Sequence, residues 1–403
     1  MSLIPIVFFI SLFLLFYSYL GYGILLAVFL KIRKVFSTRK KTPEFPVLPP
    51  VTLIIAAYNE EDFILRKIKN TLELDYPEGM LTVMFVTDGS TDGTMDIISR
   101  YPSLTLLHQD GRSGKVAAMH RAIGFVKTPY MIFSDANTFL NPASVRNIVR
   151  HYIDPSVGGV AGEKKIMAGT DDVLTSTGEG LYWKYESWLK RMDSEFYTVV
   201  GAAGELFSVR TDLYESPGSN VLLDDFIISM RICQKGYRIV YEPQAFAMET
   251  ASSNIKEEEK RKIRISAGAF QSIQMLSPLL NIFRFPRLSF QYISHRVLRW
   301  AVCPLLLPLA LLLNIWLQYS RPHPVYAILL VAQLAFYLAA FAGFLLYKRK
   351  IKVSLLYVPY YFLFINISLY IGFARYLKGK QTVLWEKAKR EEYKPVADLA
   401  DRK

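Results

Sequence analysis

VTLIIAAYNE (residues 51–60) and LTVMFVTDGSTDGT (81–94) decide how this chain is read. Each is an unbroken apolar run that stops at small and polar residues, the pattern of a strand covered on both faces. A helix pattern from Glu61 to Leu74 separates them. The theme repeats at LTLLHQ (104–109), YMIFSDAN (130–137) and VGGVAGEKKI (157–166), with helix patterns at Thr94–Arg100 and Lys115–Val126. Strands alternating with helices predict an α/β domain with a mostly parallel, doubly wound sheet, which binds ligands at the carboxyl ends of its strands. The chemically interesting side chains gather at those ends.

Outward from this domain the composition changes. The chain has 403 residues, is 52% hydrophobic and carries a net charge of +13; its mean hydropathy is +0.21. Such an apolar excess excludes a disordered protein. Leu3–Leu30 contains no charged residue, and about 20 apolar residues suffice to cross a bilayer. It lacks the positive leader and the cleavage site of a signal peptide. Lys31, Arg33, Lys34, Arg39, Lys40 and Lys41 follow the run, which places the N-terminus outside and the α/β domain in the cytoplasm, at the plasma (inner) membrane. The cluster reads as a topology signal and not as a nucleic-acid site.

The domains expected are a transmembrane helix (1–31), a basic and Pro-rich linker (32–50), the cytoplasmic domain (51–270), interfacial helices (271–298), three transmembrane helices (299–377) and a charged tail (378–403). Interfacial helices are expected because Gln271–His295 is greasy yet interrupted by Pro278, Arg284, Pro286 and Arg287. Four crossings put the tail outside, although it is basic. The alternative is a last segment that turns back within the membrane at Pro359 and Asn366. Cys233 and Cys303 lie far apart and the five histidines show no ligand spacing, so neither a zinc module nor a disulfide scaffold is expected.

The strand ends carry Ala56-Ala57-Tyr58-Asn59-Glu60, Asp88-Gly89-Ser90-Thr91-Asp92-Gly93-Thr94 and Ser134-Asp135-Ala136-Asn137. A carboxylate and an amide oxygen two residues apart can hold a hard divalent cation, which in turn grips a diphosphate. Asp224-Asp225 opens a further helix pattern, and Arg296 and Arg299 share a helix face beside Trp300.

Taken together, AAYNE, DGSTDGT, GKVAAMH, SDAN, GAAGELFSVR, LLDDF, QKGYRIVYEP and RVLRW resemble the membrane-embedded family 2 glycosyltransferases, which include cellulose, chitin, hyaluronan and poly-N-acetylglucosamine synthases. The likeness runs from about Tyr19 to Trp300 and more loosely beyond. It implies a nucleotide-sugar transferase domain of the GT-A type, inserted between transmembrane helices. By this resemblance Tyr58, Glu60 and Asp88 hold the base and ribose, with Lys115 nearby. Asp135 and Asn137 stand where the family binds its metal, Mg2+ or Mn2+; an amide here replaces the second acid. Arg296 and Arg299 share the pyrophosphate, Gly201, Gly204 and Trp300 form the acceptor site, and Asp225 is the catalytic base with Asp224 beside it. Trp183, Tyr185 and Trp188 are candidates for sugar stacking or for packing.

The function this implies is inverting transfer from a UDP-sugar to a growing β-linked polysaccharide, processive and exporting through its own helices. The alternative is glycosylation of a membrane lipid, as by a ceramide glucosyltransferase, because Arg296 replaces the family's Gln and only four crossings are expected. The partners implied are the UDP-sugar, a glycan or lipid acceptor and the bilayer.

Overall fold

A computed structural model describes residues 3–36, 45, 47–167, 173–250, 255–349, 351 and 353–379. Most of the charged tail and much of the basic linker lie outside the described residues. The chain divides into two compact units: Met1–Ser37, Asp172–Lys184 and Glu258–Gln381 form one, and Thr38–Asp171, Tyr185–Glu257 and Thr382–Lys403 the other.

The second unit is built on an eight-stranded sheet of β1 (Val51–Ala57), β2 (Leu81–Asp88), β3 (Thr105–Gln109), β4 (Tyr130–Asp135), β5 (Phe139–Leu140), β6 (Val157–Met167), β7 (Leu206–Arg210) and β8 (Arg238–Thr250). Their order is β3-β2-β1-β4-β7-β6-β8-β5. The half formed by β1 to β4 is parallel throughout. β7 runs antiparallel to both β4 and β6, and β6 is again parallel to β8. The sheet is therefore mostly parallel, with two reversed strands, β7 at its centre and β5 at its edge, antiparallel to β8. Every residue of β1 is buried, because helices such as Glu61–Leu72 and Ser144–Val149 contribute Ile64, Ile68, Val145 and Ile148 to the core around it. The parallel arrangement brings the carboxyl ends of β1, β2 and β4 to one edge of the sheet, where Tyr58, Asp88 and Asp135 emerge.

In the other unit, four helical stretches are long and apolar enough to cross a membrane: Leu3–Phe36, Pro286–Ser320, Pro324–Lys348 and Ser354–Leu377. Pro359 and Asn366 both lie within the last of these, which is one unbroken helix. Asn366 Oδ1 accepts a hydrogen bond from Tyr19 of the first helix at 3.0 Å, so the amide is satisfied inside the bundle. The first two stretches each pass through a π-helical segment, Tyr17–Gly21 and Ile293–Val302. Such widened turns concentrate at functional sites, and the second contains Arg296, Arg299 and Trp300.

Candidate active site

Two loops form one half of the site by gripping each other. Asn59 has φ +52°, a left-handed conformation that asparagine tolerates better than most residues. Its backbone N–H donates to Ser90 Oγ at 3.2 Å, and its Oδ1 accepts from the backbone of Thr91 at 2.8 Å. Glu60 N–H donates to Thr94 Oγ1 at 2.9 Å; Asp92 Oδ1 in turn accepts from the Thr94 backbone N–H at 3.1 Å, in the turn that leads into the helix beginning there. Asp88 is buried, and its Oδ2 accepts from the backbone N–H groups of Ser113 at 2.9 Å and Gly114 at 2.7 Å. Its Oδ1 is buried with no hydrogen-bond partner among the described residues. One lone-pair edge of Asp88 thus builds the loop while the other remains for a donor group on a ligand. The Arg112 guanidinium lies 3.8 Å from the centre of the Tyr58 ring.

The other half is a cluster of charges. Lys115 opens the helix Lys115–Ile123, and its Nζ donates to Asp135 Oδ1 at 2.5 Å. Burial works against the ammonium, but Asp135, then Asp224 and Asp225, hold it above the usual lysine range. Asp224 and Asp225 begin the helix Asp224–Gln234. A methyl group on Gly204 would stand 3.3 Å from Asp225 Oδ2 and 3.5 Å from Lys115 Nζ, so the Asp225 carboxylate, the ammonium and the small-residue loop meet at one point. Burial, then the charge of Asp224, pushes the half-buried Asp225 carboxyl up to about 7; Lys115 opposes this and Glu205 adds to it. Asp224 Oδ2 is buried without a partner among the described residues.

Gly201 and Gly204 have different surroundings. Gly201 has φ +89° and a Cβ there would lie 2.1 Å from the Phe226 ring, so it seats the loop on the helix. Ala202 N–H completes that join by donating to Ser229 Oγ at 3.0 Å. Gly204 faces the charges. Tyr185 and Trp188 stack on each other with centroids 5.8 Å apart.

Whether the site suits a divalent cation can be judged from its donors. Among the described residues no group of three or more His, Cys, Asp or Glu side chains is arranged to hold an ion. Asn137 Oδ1, however, is buried without a partner there, two residues from the Asp135 carboxylate. One carboxylate and one amide oxygen fit a cation that takes its remaining ligands from a diphosphate and water.

Sequence reasoning passed over Lys67. It lies within the buried stripe Ile64–Lys67–Ile68–Thr71 of its helix, and its Nζ donates to Ser134 Oγ and to the Thr138 carbonyl, each at 2.9 Å. Its ammonium therefore fastens the turn that carries Asp135 and Asn137. Burial lowers it to about 7, although Asp135 favours the charged form. A lysine within an apolar helical stripe was the available signal. Asn59 is a second residue passed over: nothing in AAYNE shows that its backbone and amide tie the two loops together.

In the membrane unit, Arg299 is buried and its Nε donates to the Ser18 carbonyl at 2.8 Å. Tyr17 Oη and Ser294 Oγ join the same two π segments at 2.8 Å. The Arg296 guanidinium lies 5.7 Å from the Trp300 ring centre.

Several known proteins are similar to this chain. The chain is 23% identical over 252 residues to the poly-β-1,6-N-acetyl-D-glucosamine synthase of Staphylococcus aureus (strain MSSA476), covering 59% of this chain and 60% of that one. It is 22% identical over 228 residues to the synthase of the same name from Staphylococcus epidermidis, covering 55% of each. The match thus spans less than two thirds of these relatives. In structure the chain is similar to the mannosyltransferase PcManGT from Pyrobaculum calidifontis, solved in complex with GDP-Man and Mn2+. The TM-score is 0.66 at 22% identity, over 93% of this chain and 100% of that one, and this likeness identifies the fold as GT-A. The profile of the glycosyltransferase-like family 2 matches residues 49–268, more than half of the chain, and the protein belongs to that family.

Proposed function

We propose that the protein transfers a sugar from a UDP-sugar to a growing β-linked polysaccharide with inversion at the anomeric carbon, and that it is processive and exports the product through its own helices. The observation that carries the catalytic part is the meeting of Asp225, Lys115 and Asp135 at one edge of the sheet. Asp225 accepts the proton of the acceptor hydroxyl as that oxygen attacks the anomeric carbon; the bond from this carbon to the diphosphate oxygen breaks, and the nucleoside diphosphate leaves. A carboxyl poised near neutrality suits such a base. Lys115 places a fixed positive charge where the leaving group gains negative charge.

Tyr58, Glu60 and Asp88 hold the base and ribose, with the open Oδ1 of Asp88 as acceptor. Asp135 and Asn137 hold Mg2+ or Mn2+, which supplies Lewis-acid stabilisation of the diphosphate when bound. Arg296 and Arg299 serve the pyrophosphate, and Gly204 and Trp300 the acceptor. The catalytic domain faces the cytoplasm at the inner membrane. The polysaccharide reading draws on the named synthases among the relatives. The lipid-acceptor alternative draws on Arg296, whose guanidinium lies close to the Trp300 ring otherwise offered to a sugar.

The test is to incubate purified protein in lipid nanodiscs with radiolabelled UDP-N-acetylglucosamine, UDP-glucose, UDP-galactose and GDP-mannose, and to size the product. Polymer from a UDP-sugar is expected. A single lipid-soluble glycoside selects the alternative, and turnover of GDP-mannose alone overturns the donor assignment.

A further inference from the structure

We propose that Glu205, Lys164 and Glu249 form a buried ion triad that holds the charge of Glu205 beside Asp225 and so sets the pH at which Asp225 accepts a proton. The proposal rests on the assignment of Asp225 as base. Lys164 lies on β6 and Glu249 on the adjacent β8; Lys164 Nζ pairs with Glu205 Oε1 at 2.6 Å and also with Glu249 Oε1. The Lys164 and Glu249 side chains are 1% and 2% exposed, and Glu205 is 13% exposed. Burying three ionisable groups is expensive and contributes little net stability, so their presence beside Asp225 points to electrostatic tuning.

The triad reaches the site at a defined place. Glu205 directly follows Gly204, the residue whose α-carbon faces Asp225 Oδ2 and Lys115 Nζ. Three charged groups act on Asp225: Asp224 from its own helix, Lys115 from the helix Lys115–Ile123, and Glu205 from the loop before β7; the Phe226 N–H adds a hydrogen bond. Asp224 precedes Asp225 in its own helix, and Lys115 is paired with Asp135. Glu205 differs because an ammonium behind it shares its charge, and a second carboxylate in turn shares that ammonium. The negative charge of Glu205 favours the protonated form of Asp225. Glu205 acts on the base through space; Lys164 and Glu249 are positioning residues.

The experiment is the pH profile of initial rate for the full chain in lipid nanodiscs. It follows UDP release from UDP-N-acetylglucosamine, or diphosphate release from whichever sugar nucleotide the donor panel turns over. Removing the negative charge with Glu205→Gln should move the midpoint of the acid limb down by roughly 0.5–1 pH unit, less than the 1–3 units of an adjacent charge. Lys164→Gln removes the ammonium paired with Glu205 and should move the midpoint up. Glu249→Gln should move it down by less than Glu205→Gln, and Glu205→Asp should restore the wild-type midpoint. A purely structural role would lower amplitude and melting temperature without displacing midpoints in opposite directions. If Lys164→Gln does not fold, the graded pair Glu205→Gln and Glu249→Gln decides. Unmoved midpoints, or the same direction for Glu205→Gln and Lys164→Gln, overturn the proposal. Asp225→Asn runs alongside: wild-type turnover in it would remove the base assignment itself, whereas an inactive Asp225→Asn with unmoved midpoints removes only the triad.

Discussion

The loops at Asn59–Glu60 and Asp88–Thr94 and the charge cluster around Asp225 sit on the same sheet but are held by different forces. The first is a lattice of directional hydrogen bonds in which Asn59, Asp92, Thr94 and Asp88 spend side-chain oxygens on backbone N–H groups. The second has few directional bonds and many unit charges, with Asp224, Asp225, Lys115, Asp135 and Glu205 acting on one another. Geometry suits recognition of a rigid base, because a displaced donor or acceptor loses its partner at once. Charge suits a step in which a proton moves and a leaving group ionises. Substitutions in the first region should therefore weaken nucleotide binding, and those in the second should alter rate and pH dependence.

The sharpest break in that contrast is Asp225→Asn. An amide cannot accept the proton, and loss of a general base costs about 10²–10⁴-fold in rate; calorimetry should find UDP affinity within about twofold of wild type on the same principle. Comparable losses in both would merge the two regions into one. The pH profile of the wild type gives a companion test. Since Asp225 is raised to about 7, it is protonated and idle below that pH, so transfer should rise with pH through the neutral range. An acid limb with its midpoint near pH 4 would mean the charges around it do not act as described.

Gly201→Ala should have the next largest effect, and on folding first. The residue combines φ +89° with a Cβ position 2.1 Å from the Phe226 ring. Left-handed strain of about 1–2 kcal/mol and overpacking of about 1–3 kcal/mol should lower the melting temperature by several degrees. A variant with unchanged melting would show that the loop and the helix Asp224–Gln234 are not rigidly joined. Asp88→Asn is milder. An asparagine whose oxygen keeps the Ser113 and Gly114 N–H groups turns its NH2 to the position of the open Oδ1, so a ligand donor there loses its acceptor, at about 1–1.5 kcal/mol for a hydrogen bond. UDP affinity should fall about five- to tenfold, with the turnover of bound donor little changed.

Much of this was legible beforehand, for a physical reason. β1, β2 and β4 read directly because a strand covered on both faces must be apolar along its length. β7 and β8 did not: Leu206–Arg210 mixes in Ser208 and Arg210, and β8 carries Glu242, Gln244 and Glu249. Their position in the sheet comes from tertiary partners, including a register shift opposite Gly162 and Glu163. The motif acids were visible as strand-end clusters. Their supports were harder to see: Lys164 looks like a solvated lysine until the fold buries it, and Lys67 is marked only by its place in an apolar helical stripe. The π segments at Tyr17–Gly21 and Ile293–Val302 left no periodic signature, because a single widened turn does not change which residues are apolar.

The smallest expected effect lies where the two regions exchange roles, at Asn137. Its Oδ1 is a buried acceptor without a partner among the described residues, so it belongs by geometry to the hydrogen-bonding side. By position it belongs to the charged side, beside Asp135 and its ion pair with Lys115. Asn137→Asp keeps the shape and adds one negative charge. If the pair holds a divalent cation, that charge should tighten binding of Mn2+ in the presence of UDP by about two- to tenfold, because affinity at oxygen sites follows the count of charged ligands. The titration can be followed by the spin-resonance signal of free Mn2+, with no turnover required. The same charge should leave the acid limb of the pH profile nearly in place, since the groups that act on Asp225 are Asp224, Lys115 and Glu205. Tighter Mn2+ with an unmoved midpoint would confirm that the cation and the base are served by separate residues. A displaced midpoint with unchanged Mn2+ binding would make Asn137 part of the base's surroundings and remove it from the metal pair.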